Sequence, residues 1–181
     1  MIELPLSDVY QLIEPGPVVL LTTRHKGEAN VMTMSWHMMM EFTPPLIACI
    51  VSTGDFSFTA LRATKECVIA IPTVDLIDPV VGVGTCSGAD TDKFARFGLT
   101  PAKAKRVRAP LIAECVANIE CRVVDIVKKH DIVVLEGVAA WVDATRKETR
   151  TLHAVGDGTF IVDGRRIDRR KAMRSKLPAG V

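Results

Sequence analysis

In the stretch ANVMTMSWHMMM, Ala29 to Met40, five methionines and a tryptophan surround the small polar side chains of Asn30, Thr33 and Ser35. Thioether and indole give soft, polarizable surface, and the amide and hydroxyls beside them offer directed hydrogen bonds. Two further stretches offer a place for an anion. STGDFS puts Ser52, Thr53, Gly54 and Ser57 at a strand-to-helix junction, where free N–H groups and the helix dipole favour negative charge. TCSGADTDKF repeats the arrangement with Ser87 and Gly88 and adds Lys93 as a mobile cation. Each alone is a common way for a helix to begin, and Lys93 alone reads equally as a surface lysine.

Read as one strand, the methionine stretch puts Asn30, Met32, Met34 and Trp36 on one face and Val31, Thr33 and Ser35 on the other. Three readings compete. One is a barrel strand with Met filling the core and the hydroxyls meeting solvent. A second is a Cu(I) site of thioethers and His37, although Met38, Met39 and Met40 in a row cannot all converge on one point. The third is a flat, polarizable ligand lying against Met and Trp, its polar edge met by Asn, Thr, Ser and backbone N–H groups; a flavin has that chemistry.

Other chemistries are excluded. GVGTCSG supplies two glycines of a dinucleotide fingerprint, Gly82 and Gly84, but the third position is Ser87 and the preceding segment reads as a helix, so a Rossmann site is rejected. Four dispersed histidines give no triad spacing. Five cysteines without a C-x-x-C pair indicate neither a zinc site nor a disulfide framework, so a reduced, cytoplasmic protein with no metal is expected.

The elements that must position these side chains follow from pattern. VVLLTT, Val18 to Thr23, reads as a strand, and RHKGEA as a turn leading into the methionine stretch. PPLIACIVS and ECVIAIP read as the next two strands, separated by a helix that Thr53 or Asp55 caps. VDLIDPVVGVG reads as a short helix ended by glycines, and DTDKFARFG as another, capped by Asp90. Two longer strands follow, VANIECRVVDIVKK and DIVVLEGVAAWVDA, with His130 and Asp131 at their turn. Hairpin-paired strands with inserted helices predict a mainly β fold, a mostly antiparallel barrel.

With 181 residues, 48% of them hydrophobic and 24% charged, one domain with a real core is expected over residues 1–164. The remainder, 165–181, is a basic tail: Arg165 to Lys176 holds seven Lys/Arg and one Asp. No aromatic residue follows Phe160 to stack on bases, so a solvated segment is expected there rather than a nucleic-acid contact. No uncharged apolar run of about 18 residues predicts a membrane span, and the N-terminus has no signal-peptide pattern.

In order along the chain, NVMTMSW, PPLIACIVSTGDFSFTALRATKECVIAIP, GTCSGADTDKFARFGLTP and APLIAECVANIECRVVDIV resemble the flavin reductase-like family of FMN-binding split barrels, flavoredoxins included, over roughly residues 10 to 142. The resemblance implies a split β-barrel homodimer that holds FMN noncovalently near the subunit interface and takes electrons from NADH or NADPH. It implies Asn30 and Trp36 beside the cofactor, with Met32, Thr33, Met34 and Ser35 in the same motif. Ser52, Thr53, Gly54 and Ser57 would meet phosphate and ribityl, with Ser87, Gly88 and Lys93. His130 and Phe160 match a turn histidine and a C-terminal aromatic. Relatives often read Asp-His where this chain has His130-Asp131, and Arg where it has Ala89. The activity implied is reduction of free flavin, ferric chelates or a partner protein; the alternative is an electron-transfer protein without direct NAD(P)H activity. The resemblance points to no catalytic acid or base.

Overall fold

The computed structural model describes residues 1–177. Its body is an antiparallel sheet of eight strands with helices inserted along the chain. A short strand β1 (Ile2–Leu4) and a one-turn helix α1 (Tyr10–Ile13) lead into β2 (Val19–His25) and β3 (Glu28–Met34). Lys26 and Gly27 close that hairpin with φ of 51° and 89°, the left-handed pair that a two-residue turn between twisted strands requires. β4 (His37–Phe42) and β5 (Pro45–Ile50) form the next hairpin, followed by α2 (Phe56–Thr64) and β6 (Glu66–Ile71). Then come α3 (Ile77–Gly84), α4 (Lys93–Arg96) and a small pair, β7 (Pro101–Ala102) with β8 (Leu111–Ile112). The long strands β9 (Ala117–Val127) and β10 (Ile132–Val142) complete the sheet. A separate hairpin, β11 (Leu152–Ala154) with β12 (Phe160–Val162), and a turn of helix α5 (Arg170–Met173) in the basic tail end the described chain.

Strand order is β3-β2-β6-β9-β10-β5-β4, with β3 and β4 at the ends of that order and β1 a further edge strand paired only with β10. The methionine stretch is therefore two strands rather than one. It breaks at Ser35 and Trp36, and the halves go to opposite ends of the sheet order. Unbroken apolar character hides this break from a period-two reading, because Met34, Trp36 and Met38 continue the alternation across it.

The β2 run VLLTT is apolar on both faces because both faces are covered. Val19 and Leu21 join Ile47, Ile69, Ile119 and Leu135 in the barrel interior. Leu20 faces the other way, with Val31, Val80, Val83, Phe94 and Leu152, against α3, α4 and β11. Each such side chain contributes about 1.5–3 kcal/mol on full burial. No helix among the described residues is long and apolar enough to cross a membrane.

Two caps differ from expectation. Asp92, not Asp90, caps α4, accepting from the Ala95 N–H at 3.1 Å. Asp55 holds the N-cap position of α2 but spends its carboxylate on the Ser52 N–H, 3.0 Å away, so it braces the preceding loop.

Candidate functional site

Along the free edge of β3 lies a cavity of about 430 Å³, bounded by β3, the start of α2, the end of α3 and the loop into α4. Asn30 and Met32 reach it from one face of β3 and Thr33 from the other. A cavity on a strand's face admits only alternate residues, whereas an edge serves both faces, so all three side chains can meet one ligand.

Each wall is fixed by bonds within the protein. The Asn30 amide Nδ2 donates to the Ser57 hydroxyl at 2.9 Å, tying β3 to α2. Thr33 Oγ1 donates to the Val80 carbonyl at 2.6 Å, tying β3 to α3. Gly84 lies against Thr33, and a Cβ at Gly88 would strike Asn30 Oδ1 and the Phe56 ring, so the loop approaches β3 as closely as it does only because residue 88 is glycine.

Lys93 is the cation of the site. It is 6% exposed, at the first residue of α4, and its Nζ donates to the Val83 carbonyl at 2.9 Å. An ammonium has three donors, and the other two have no acceptor among the described residues. Burial pushes its pKa below the usual lysine value, partly opposed by the neighbouring Cys86 and Asp55. Phe56 and Ser57, the first two residues of α2, line the same space, and their backbone N–H groups have no acceptor among the described residues. The cavity thus combines thioether and aromatic surface, a spare amide oxygen and a partly satisfied ammonium, which suits a flat polar molecule with an anionic group.

Of the residues nominated from sequence, Asn30, Met32, Thr33, Gly54, Ser57, Ser87, Gly88 and Lys93 line this cavity. Ser52 and Thr53 are exposed two residues and one residue outside it, the Ser52 hydroxyl accepting from the Gly54 N–H at 3.2 Å. Ser35 and Trp36 are exposed beyond the end of β3, Trp36 at 72%. Met34 is not on the cavity: it shares a face with Asn30 and Met32 but lies at the end of β3 opposite Val19, where it is buried in the barrel core. Phe160 is not on it either, because β12 pairs with β11 and lays the ring against the second apolar cluster. His130 is exposed in the β9–β10 turn, whose Asp131 carbonyl accepts from the Val51 N–H at 3.0 Å, beside the Ser52 loop.

Sequence reasoning missed Asp55, Phe56, Thr85 and Cys86 as lining residues. Their positions flank the two nominated junctions, and taking the whole junction rather than its hydroxyls alone would have found them.

Comparison with known proteins identifies the family of this fold. Residues 13–159 match the model of the flavin reductase like domain. An uncharacterized protein of Archaeoglobus fulgidus is 37% identical over 102 residues, 56% of this chain and 58% of that protein, so the match spans little over half of that relative. The uncharacterized protein YddH of Escherichia coli is 30% identical over 182 residues, covering 92% of this chain and 96% of its own. Among solved structures, an FMN-binding domain of a flavin reductases-like enzyme from Shewanella baltica superposes with a TM-score of 0.88 at 24% identity, covering 93% of this chain and 96% of its own. Flavoredoxin of Desulfovibrio vulgaris superposes at 0.79 and 22% identity, covering 85% and 90%. With its strand order, inserted helices and edge cavity in place, the chain belongs to the flavin reductase-like family and has that family's split β-barrel fold.

Proposed function

We propose that the protein binds FMN noncovalently in the cavity along β3 and works as an NAD(P)H-dependent oxidoreductase that passes electrons to free flavin, a ferric chelate or a partner protein. The observation that carries this reading is Lys93, a buried ammonium with two unspent donors beside a thioether-lined strand edge. The cavity volume falls within the ~300–1,000 Å³ of small-molecule sites. Gly88 lets the Ser87–Gly88 loop close against Asn30 and Phe56 and complete the cavity wall.

Lys93, the first turn of α2 and the Ser87–Gly88 loop would hold the phosphate, with the exposed Ser52 and Thr53 hydroxyls and His130 at the rim. Asn30, Met32 and Thr33 would line the ring system, and Met34 supports them from the core. When bound, FMN supplies the redox chemistry, accepting hydride from a reduced nicotinamide. The chain's own part is positional: Asn30 and Thr33 are locked by hydrogen bonds to α2 and α3, so they need no reorganisation when charge develops beside them.

Trp36, Met38, Met40 and Phe42 form an exposed apolar run from the end of β3 along the free edge strand β4. A second copy covering it would make a homodimer and bring Trp36 and Ser35 into an enclosed site. Free cysteines at Cys49, Cys67, Cys86, Cys115 and Cys121 fit work in a reducing compartment such as the cytoplasm.

Stopped-flow mixing of the FMN-loaded protein with NADH and NADPH tests the activity. Prompt bleaching of the flavin band is expected with at least one of them. Similarity to structures named flavoredoxin, from Desulfovibrio vulgaris and from Methanosarcina acetivorans, supports a second reading as an electron-transfer protein. That reading is preferred if FMN binds but neither nucleotide bleaches it.

A further inference from the structure

We infer that Cys86 is a redox-modification site: hydrogen peroxide oxidises its thiol to a sulfenic acid, and the added oxygen takes the donors of Lys93, closing the anion end of the cavity. Control of flavin binding rests on the flavin reading above; modification of an anion-binding cavity does not. Of the five cysteines, Cys86 alone is not buried, and it lines the cavity. Burial pushes the thiols of Cys49 and Cys115 up, away from the reactive thiolate, and Cys67 and Cys121 are closed into the barrel core.

The end of α3 brings sulfur and ammonium together. Cys86 Sγ lies 3.5 Å from the Gly82 carbonyl, and Lys93 Nζ donates to the next carbonyl, that of Val83, at 2.9 Å. The Gly82 carbonyl also accepts from the Thr85 hydroxyl at 2.9 Å and from the Thr85 N–H at 3.2 Å, so loss of the thiol proton leaves no acceptor orphaned. The charge of Lys93 is not answered within the protein. Asp55, the one acid lining the cavity, has its Oδ2 on the Ser52 N–H, and Lys93 forms no ion pair among the described residues. A buried ammonium with two unused donors calls for an acceptor whatever the state of the thiol, and a sulfenyl oxygen on Cys86 supplies one from the protein itself.

The Cys86 thiolate attacks one oxygen of hydrogen peroxide: an S–O bond forms, the O–O bond breaks, and hydroxide leaves and takes up the thiol's proton as water. Sulfur loses two electrons and the peroxide gains them. A dithiol reverses the change: one of its sulfurs displaces water to form a mixed disulfide, and the other releases Cys86 as the thiol. An oxygen held by Lys93 stands where an incoming phosphate would meet the ammonium. Anion binding and oxidation of Cys86 therefore exclude each other.

Peroxide treatment of the full chain, trapping with dimedone and peptide mass spectrometry should label Cys86 and none of the four buried cysteines. Inorganic phosphate should slow that labelling in wild type and not in Lys93→Met, a readout that needs no flavin. FMN titration followed by fluorescence should show affinity roughly tenfold weaker after peroxide and restored by dithiothreitol. In Cys86→Ser, peroxide should leave FMN affinity where it was. Met32 shares the cavity, and its sulfoxide survives dithiothreitol. A loss of affinity that the dithiol does not reverse, or that Cys86→Ser also shows, therefore belongs to the methionine and overturns the proposal. No adduct at Cys86, adducts spread over the buried cysteines, labelling indifferent to phosphate, or unchanged FMN affinity once Cys86 is oxidised overturns it too. Phosphate protection of Cys86 without any FMN binding would uphold the modification and overturn the flavin reading instead.

Discussion

Glu120 and Lys93 are both charged side chains taken out of water, and they differ in how completely the protein answers them. Glu120, on β9, is 0% exposed, and its carboxylate accepts from the N–H groups of Lys105, Arg106 and Val107 and from the Trp141 indole, 2.7 Å away. Four donors saturate it, and it pins the loop between β7 and β8 to the barrel. Lys93 has one acceptor. Leaving donors of a buried charge unused is costly unless something else receives them. The first arrangement completes a structural charge; under the proposed function, the second leaves donors for the anionic group of a ligand.

Substitutions sharpen that contrast. The largest effect is expected from Glu120→Ala, which leaves three backbone N–H groups and an indole unpaired and should lower unfolding free energy by about 3–5 kcal/mol in urea denaturation. Any folded fraction should still bind FMN. Lys93→Met should do the reverse: stability equal to or above wild type, and FMN affinity lower by roughly 10- to 100-fold through lost charge-assisted hydrogen bonds. Gly88→Ala, colliding with Asn30 and Phe56, should cost about 1–3 kcal/mol of stability and weaken FMN measurably. Lys105→Gln, which breaks an exposed 3.3 Å pair with Glu3, should change stability by less than about 1 kcal/mol and leave FMN binding alone.

pH separates the two charges further. Because burial holds the Lys93 pKa below its ordinary value, the unfolded chain keeps a proton that the folded, flavin-free chain has lost over the interval between the lowered pKa and the usual ~10.4. Stability of the free protein should therefore gain a contribution as pH rises through that interval. FMN affinity should fall over the same range, as the ammonium that would meet the phosphate is neutralised. Lys93→Met should flatten both trends; profiles unchanged in that variant would show that Lys93 is not the titrating group.

Much of this arrangement was legible in the chain. VVLLTT, PPLIACIVS, ECVIAIP and the two long strands form where their patterns place them, and STGDFS and SGADTDKF do lie at helix starts facing one cavity. The break after Met34 was not legible, because Ser35 and Trp36 fit a continuing strand and only the position of the sheet edges ends it. For the same reason alternation set Asn30 and Thr33 on opposite faces without showing that an edge serves both. Glu120 was hidden as well: a carboxylate between Ile119 and Cys121 reads as solvent-facing alternation, and its donors come from a loop some fifteen residues earlier in sequence that only tertiary structure brings close. Met34 and Phe160 lie off the cavity, Met34 in the barrel core and Phe160 against the second apolar cluster, a placement that membership of a motif does not reveal.

The central claim is that Lys93 waits, with donors unspent, for the anionic end of a flavin. Titrating FMN into the wild-type protein and into Lys93→Met, followed by flavin fluorescence, tests it most directly. The account predicts a saturable change at one FMN per wild-type chain and a much weaker curve for the variant. Emission that stays constant with protein in excess, or equal affinities for the two proteins, would contradict it.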